Sequence, residues 1–166
     1  LRPLISKQNE IAEGLLVTNQ IISSGMLINL SSLKEIGFKD ESLFIDGVDH
    51  EWCWRARQKA YTIGIAKDVM MTHTIGDAQR KLLGVPYRVG SPIRLYYQFR
   101  NLCILIRRGY VPLYWKVRNL GLLLPKFLIN SLLERPQKKR LVFMIKGLID
   151  GVRNRSGSYQ SNWTQD

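Results

Sequence analysis

From Ser91-Pro92 onward the chain is divided by proline. Ser91-Pro92 has the form of a helix start, with serine as cap and proline in the first turn. A helix from there to Arg107 or Arg108, stopping at Gly109, is expected, and Pro112, Pro125 and Pro136 then punctuate a helical series out to about Gly151. Apolar clusters (Leu120 to Leu124, Phe127 to Ile129, Leu132, Leu133, Leu141 to Ile145) lie among Lys126, Arg135, Lys138, Lys139, Arg140 and Lys146. No uninterrupted apolar run approaches the ~20 residues that span a bilayer. Helices with apolar faces and basic margins suit a membrane interface. They equally suit a helical subdomain packed on the rest of the protein with a solvated basic face.

Charge divides the chain at a similar place. Residues 1–80 hold 9 Lys/Arg and 10 Asp/Glu, whereas residues 81–166 hold 16 Lys/Arg and only Glu134, Asp150 and Asp166. The basic half calls for a polyanion, and the apolar clusters favour an anionic membrane face over nucleic acid. Tyr96, Tyr97, Tyr110, Tyr114 and Trp115 offer stacking surfaces, but no RNA-binding signature or zinc-finger spacing accompanies them, so no nucleic-acid partner is expected. With 45% hydrophobic and 23% charged residues, wholesale disorder is excluded. Two cysteines, Cys53 and Cys103, exclude a disulfide-dense scaffold and a four-cysteine zinc site, and read as buried thiols. No signal peptide is expected, since no basic stretch followed by an apolar core opens the chain at Leu1.

The first half alternates short apolar segments with turn signals. Gly14 to Ile22 and Met26 to Leu30 read as strands around the Ser23-Ser24-Gly25 turn, and residues 1–14 show no clear periodicity. Ser32-Leu33-Lys34-Glu35 reads as a capping box opening a short helix that stops at Gly37. Val48 to Lys59 reads as a helix with Asp46 as N-cap, Asp49 in the first turn and Glu51–Arg55 as an i,i+4 pair. Tyr61 to Ala66 and Val69 to Thr74 read as strands, Gly76 to Gly90 as a mobile loop, and Ser156 to Asp166 as a frayed tail.

Three acids, Asp46, Asp49 and Glu51, fall within six residues and are followed by Trp52 and Trp54. Carboxylates crowded at a helix start raise each other's pKa while the helix dipole lowers it. Such a cluster serves as a metal site, a base or a hydroxyl-binding surface, or simply caps the helix and charges the surface. His73, on the second of the two later strands, is either a cation or phosphate ligand or a histidine bonded within the fold. His50 points away from Asp49 on the helix. No nucleophile elbow, P-loop, dinucleotide fingerprint or HExxH motif is present.

Together these stretches resemble the second half of a family 2 glycosyltransferase of GT-A fold. The resemblance rests on Ser24-Gly25-Met26-Leu27-Ile28, on Leu33 to Phe38, on the run Leu43 to Arg57 containing Asp46-Gly47-Val48-Asp49-His50-Glu51-Trp52, and on Val69-Met70-Met71-Thr72-His73. It is strongest to bacterial rhamnosyltransferases of cell-surface polysaccharide (O-antigen) synthesis, whose later region carries a Tyr-Tyr-x-x-Arg-Asn element, here Tyr96-Tyr97-Gln98-Phe99-Arg100-Asn101. It covers roughly residues 15–155. The fold class it implies is α/β: a partial GT-A fold without its N-terminal half over residues 1–90, then a basic amphipathic helical region over 91–155 and a tail over 156–166.

The resemblance also implies roles. Asp49 is the general base that takes the acceptor hydroxyl proton in an inverting transfer. His73 joins a divalent metal, Mg or Mn, at the leaving nucleotide diphosphate. Gly25 allows close approach of the acceptor, and Asp46, Glu51 and Trp52 line the acceptor side. Gly76 to Gly90 corresponds to a loop closing over the donor. The implied partners are a nucleotide-diphospho-sugar donor, a lipid-linked glycan acceptor and the anionic cytoplasmic face of the bacterial inner membrane, to which the protein binds peripherally. The family's nucleotide-binding strands and metal-carrying Asp-x-Asp element are missing from this sequence. The chain is therefore expected to be the C-terminal part of a longer enzyme or a truncated product, with little activity by itself. The alternative is an inactive remnant or a basic membrane- or polyanion-binding module.

Overall fold

The computed structural model of the chain describes residues 5–12, 14–72, 78–82 and 84–159. Three antiparallel strands, β1 (Ile5–Ala12), β2 (Leu15–Thr18) and β3 (Ile63–Ala66), form a small sheet with β2 in the centre and Leu15 to Thr18 paired against Ala66 to Ile63. Between β2 and β3 lie α1 (Leu30–Ile36), a 3-10 turn at Glu41–Leu43 and α2 (Val48–Gln58). A hairpin, β4 (Ala78–Leu82) and β5 (Val85–Val89), leads to α3 (Pro92–Leu105), α4 (Leu113–Leu132) and α5 (Gln137–Val152). Among the described residues no helix is long and apolar enough to cross a membrane.

Helix α2 is the centre of the molecule. On one side Trp52, Cys53 and Ala56 pack with Ile36 and Ile63, joining α1 and the sheet. On the other, Trp54 packs with Leu43, Ile104, Leu105 and Val111, joining α2 to the end of α3. A third cluster, Leu95, Phe99 and Met144, joins α3 to α5 and receives Leu123 and Phe127 of α4. The α3–α5 contact is close because Gly147 and Gly151 lie against α3. A Cβ on Gly147 would be driven into the Tyr96 carbonyl, and one on Gly151 would sit 2.7 Å from Arg100 O and from Cys103 Cβ.

Several elements differ from the sequence expectation. Met26 to Leu30 is not a strand; its backbone runs into α1, whose cap is Asn29 accepting from Ser31 N at 2.9 Å rather than Ser32. Glu35 does not close a capping box; its carboxylate accepts from Tyr61 OH at 2.5 Å. Val69 to Thr72 carries no strand pairing, and His73 and Thr74 lie outside the described residues. The expected mobile loop at Gly76 to Gly90 is instead largely the β4–β5 hairpin, with Gly84 at φ +81° in its turn. Tyr87 OH ties it to Glu134 Oε1 at 2.5 Å. Pro125 lies inside α4, which continues through it. The start of the expected tail is docked: Gly157 O accepts from Arg100 at 2.5 Å, and Tyr159 N donates to Tyr97 OH at 2.7 Å.

Candidate active site

Asp49 occupies the first turn of α2, where a negative charge opposes the positive end of the helix dipole. Its Oδ2 accepts from Ser23 N at 3.0 Å. Its Oδ1 accepts from the Ser23 hydroxyl and from Lys39 Nζ, the latter at 3.1 Å, and Lys39 Nζ also donates to the Ser23 hydroxyl. Partial burial pushes the carboxyl pKa up, but the Ser23 hydroxyl and amide and the Lys39 ammonium together outweigh it and hold the group below the ordinary aspartate range. The side chain keeps 29% exposure, so it is both ionised at neutral pH and reachable.

Ser23 belongs to the turn closed by Met26 N donating to Ser23 O at 3.1 Å. Gly25 makes that turn possible at φ +74°, and a Cβ there would meet Met71 Cε at 3.1 Å. The structure thus brings together the Gly25 turn, Asp49 and the segment that leads towards His73. His73 itself lies outside the described residues.

Asp46 is close in sequence but faces elsewhere. It is not the N-cap of α2; that position is Gly47, at φ +95°. Asp46 adopts φ +62° and its two carboxylate oxygens receive Arg94 Nη2 at 2.6 Å and Nε at 3.1 Å, a bidentate pair. Phe44, at φ +61°, is a second non-glycine residue in the left-handed region of this short loop. What holds the loop is the Tyr-Tyr-x-x-Arg-Asn element. Asn101 Nδ2 donates to Leu43 O, Ile45 O and Asp46 O at 3.0, 2.7 and 2.8 Å. Arg100 Nη2 donates to Ser42 O and Leu43 O at 3.2 and 2.9 Å, and its guanidinium stands 4.9 Å from the Tyr97 ring centroid. Both residues are fully buried. The element itself was visible in the sequence. That its hydrogen-bonding groups bind the carbonyls preceding Asp49, some 55 residues earlier, was not.

Glu51 and Trp52, unlike Asp49, are turned into the protein. Glu51 is fully buried, and its carboxylate receives Arg55 Nε at 2.7 Å, Arg55 Nη2 at 3.1 Å and Tyr110 OH at 2.6 Å, with Arg108 Nη1 at 3.3 Å. Burial and this carboxylate push the Tyr110 phenol up to about 12, which keeps it a donor. Trp52 is buried in the α1–α2 core, its indole N–H donating to Gly37 O at 2.8 Å. An open cleft of about 400 Å³ lies on this side, lined by Phe38, Asp40, Glu51, Arg55, Arg108 and Tyr110, away from the Asp49–Ser23 contact. His50 is partly buried, and burial lowers its pKa, so the imidazole is neutral at pH 7. The Cys53 thiol is buried and its pKa is raised by that burial, so it stays protonated at neutral pH.

Ser23 and Lys39 are the partners that sequence reading missed. Ser23 carried only a turn signal, and Lys39 lies in a loop with no pattern of its own. Among the described residues no three His, Cys, Asp or Glu side chains converge on a metal position.

Comparison with curated proteins finds this chain similar to a dTDP-rhamnosyl transferase, RfbF, of Shigella flexneri. The two are 35% identical over 144 residues, which cover 85% of this chain and 48% of that protein. The chain thus spans about half the length of the curated relative it matches. No model of a known protein family and no solved structure matches it.

Proposed function

We propose that this chain is the acceptor-side part of an inverting glycosyltransferase of family 2 and GT-A type, in which Asp49 is the general base. The donor is a nucleotide-diphospho-sugar, with rhamnose indicated by the named activity of the similar protein. The acceptor is a hydroxyl of a lipid-linked glycan of cell-surface polysaccharide synthesis, met at the cytoplasmic face of the inner membrane. The observation that carries the reading is the state of Asp49: ionised, partly open, and already accepting a hydroxyl proton bond from Ser23.

The Ser23 hydroxyl stands on Asp49 as an acceptor hydroxyl would. An acceptor replacing it would donate to Oδ1, and its oxygen would attack the anomeric carbon as the bond to the diphosphate oxygen breaks. The proton passes to Asp49 as the new glycosidic bond forms. Lys39 keeps the carboxylate charged until that moment, and a carboxylate of low basicity accepts the proton only late, when the attacking oxygen has become acidic. Gly25 leaves room at the turn for the approach. His73 is this chain's proposed contribution to a Mg or Mn ion that stabilises charge on the leaving diphosphate.

In the protein that carries this chain, Asp49→Asn is expected to lower turnover with dTDP-rhamnose by about 10²- to 10⁴-fold, the range for loss of a general base. Its circular dichroism and KM for donor should stay unchanged. Turnover at the wild-type rate would remove Asp49 from this role.

A further inference from the structure

Helix α4 is apolar on its outer side as well as its inner one. Its 20 residues make a rod of about 30 Å. Leu113, Val117, Leu120, Leu124 and Leu128 recur at spacings of four, three, four and four, so they form one stripe along the helix. All five are solvent-exposed, at 45% to 74%. The side turned to the protein is mixed: Trp115 packs on Trp54, and Leu123 and Phe127 pack on the Leu95, Phe99 and Met144 cluster, with polar side chains between them. Asn130 is the buried residue of the helix, donating to Lys126 O at 2.8 Å and accepting from Arg140 Nη1 at 3.1 Å. Asn119 donates to Trp115 O at 2.8 Å, and Lys116 to Arg108 O at 2.8 Å. A surface helix normally keeps its outer face polar, and an exposed apolar stripe of this length marks a contact surface.

The charges around the stripe say what it meets. Residues 91–159 contain 14 Lys/Arg and two acids, Glu134 and Asp150. Both acids are buried, at 1% and 6% exposure, with Glu134 beside Arg80 and Asp150 beside Arg155. The solvent-facing charge of this region is therefore cationic throughout, and includes exposed Arg118, Arg135, Lys138 and Lys139 on or next to α4. A second copy of the chain would bring like charge against like charge. Nucleic acid has no use for a leucine stripe. An anionic lipid interface matches both halves of the pattern, apolar side chains entering the acyl boundary and cations meeting headgroups.

We propose that the outer face of α4, from Leu113 to Leu128, is the surface by which this protein lies in an anionic membrane leaflet, α4 being parallel to the bilayer plane. This deepens the membrane-surface part of the proposed function and needs none of its transfer chemistry. The test is cosedimentation of the full chain with phosphatidylglycerol-containing vesicles and with vesicles of phosphatidylcholine alone, without donor. The wild type is expected to bind the anionic vesicles at least about ten-fold more tightly. V117Q/L120Q/L124Q should lose binding by at least about ten-fold while keeping the wild-type Tm, since the three side chains are already in water. K138Q/K139Q should weaken it by about five-fold per lysine in low salt. If the wild type binds neither vesicle, the membrane reading itself fails. If the wild type binds and the triple glutamine variant binds equally well, this assignment of α4 fails while the membrane reading stands. If the stripe instead drives a concentration-dependent dimer that the triple variant dissolves, the occupant is a second copy and the lipid assignment is overturned.

Discussion

Beneath the loop 42–47 the molecule buries an arginine and an asparagine; along α4 it leaves leucines in water. Burial here follows satisfaction and fit rather than side-chain polarity. Arg100 and Asn101 are inside because carbonyls of residues 42, 43, 45, 46 and 157 require donors, and a loop with Phe44 and Asp46 in the left-handed region needs holding. Helix α5 is less apolar than α4, opening on Gln137-Lys138-Lys139-Arg140, yet it is the helix that packs closely on α3. Gly147 and Gly151 let its backbone approach, whereas Gly121 in α4 faces open space.

The sharpest way to break this contrast is at α5. Gly147→Ala should cost about 3 kcal/mol in urea unfolding, because backbone, not a yielding side chain, blocks the new methyl. An unchanged midpoint would mean that α5 can shift away from Tyr96 without loss. Next, Asn101→Ala should cost about 2 kcal/mol, leaving carbonyls of Leu43, Ile45 and Asp46 short of a donor. Hydrogen exchange should quicken in residues 42–50 more than in α5; a uniform increase would deny the clamp a local role.

A smaller effect is expected on acidification. Asp49 and Asp40 both have folded pKa values lowered: burial raises each, but Ser23 and Lys39 for Asp49, and Ser42 and Arg108 for Asp40, outweigh it. A group depressed on folding contributes its full stability above its unfolded value, near 3.9, and loses it as pH falls through the folded value. Stability should therefore decline below about pH 4, and Asp49→Asn should flatten part of that decline. An identical acid limb in the variant would show that Ser23 and Lys39 do not hold Asp49 in solution. At the small end, Gly121→Ala should raise stability by about 0.5–1 kcal/mol, the helix-propensity gain with nothing in its way. Leu124→Gln should stay within about 0.5 kcal/mol of wild type. A large loss there would mean that the stripe is covered in solution.

Much of this molecule was legible before folding. The Ser91-Pro92 start, the Glu51–Arg55 pair, the helix from Val48 and the strand ending at Ala66 depend on local rules, and the structure keeps them. Local rules failed where a competing partner was nearby in space. The capping box at Ser32 gave way because Asn29 offered a cap three residues earlier and Glu35 found Tyr61. Asp46 left the helix start because Arg94 offered two hydrogen bonds at once. The stretch Gly76 to Gly90 looked like a loop because its strands are polar and glycine-flanked, and pairing with each other and with Glu134 supplied what the pattern lacked.

Residue order alone thus set the helix starts, the division between a mixed first half and a cationic second half, and the presence of Asp49 in a first helical turn, since these need only neighbours within a few positions. Tertiary structure decided which of three clustered acids stays open. Asp49 meets a hydroxyl and a lone ammonium, Asp46 an arginine fork, and Glu51 two arginines and a tyrosine. Those partners come from segments up to 59 residues away, and no spacing rule along the chain encodes them.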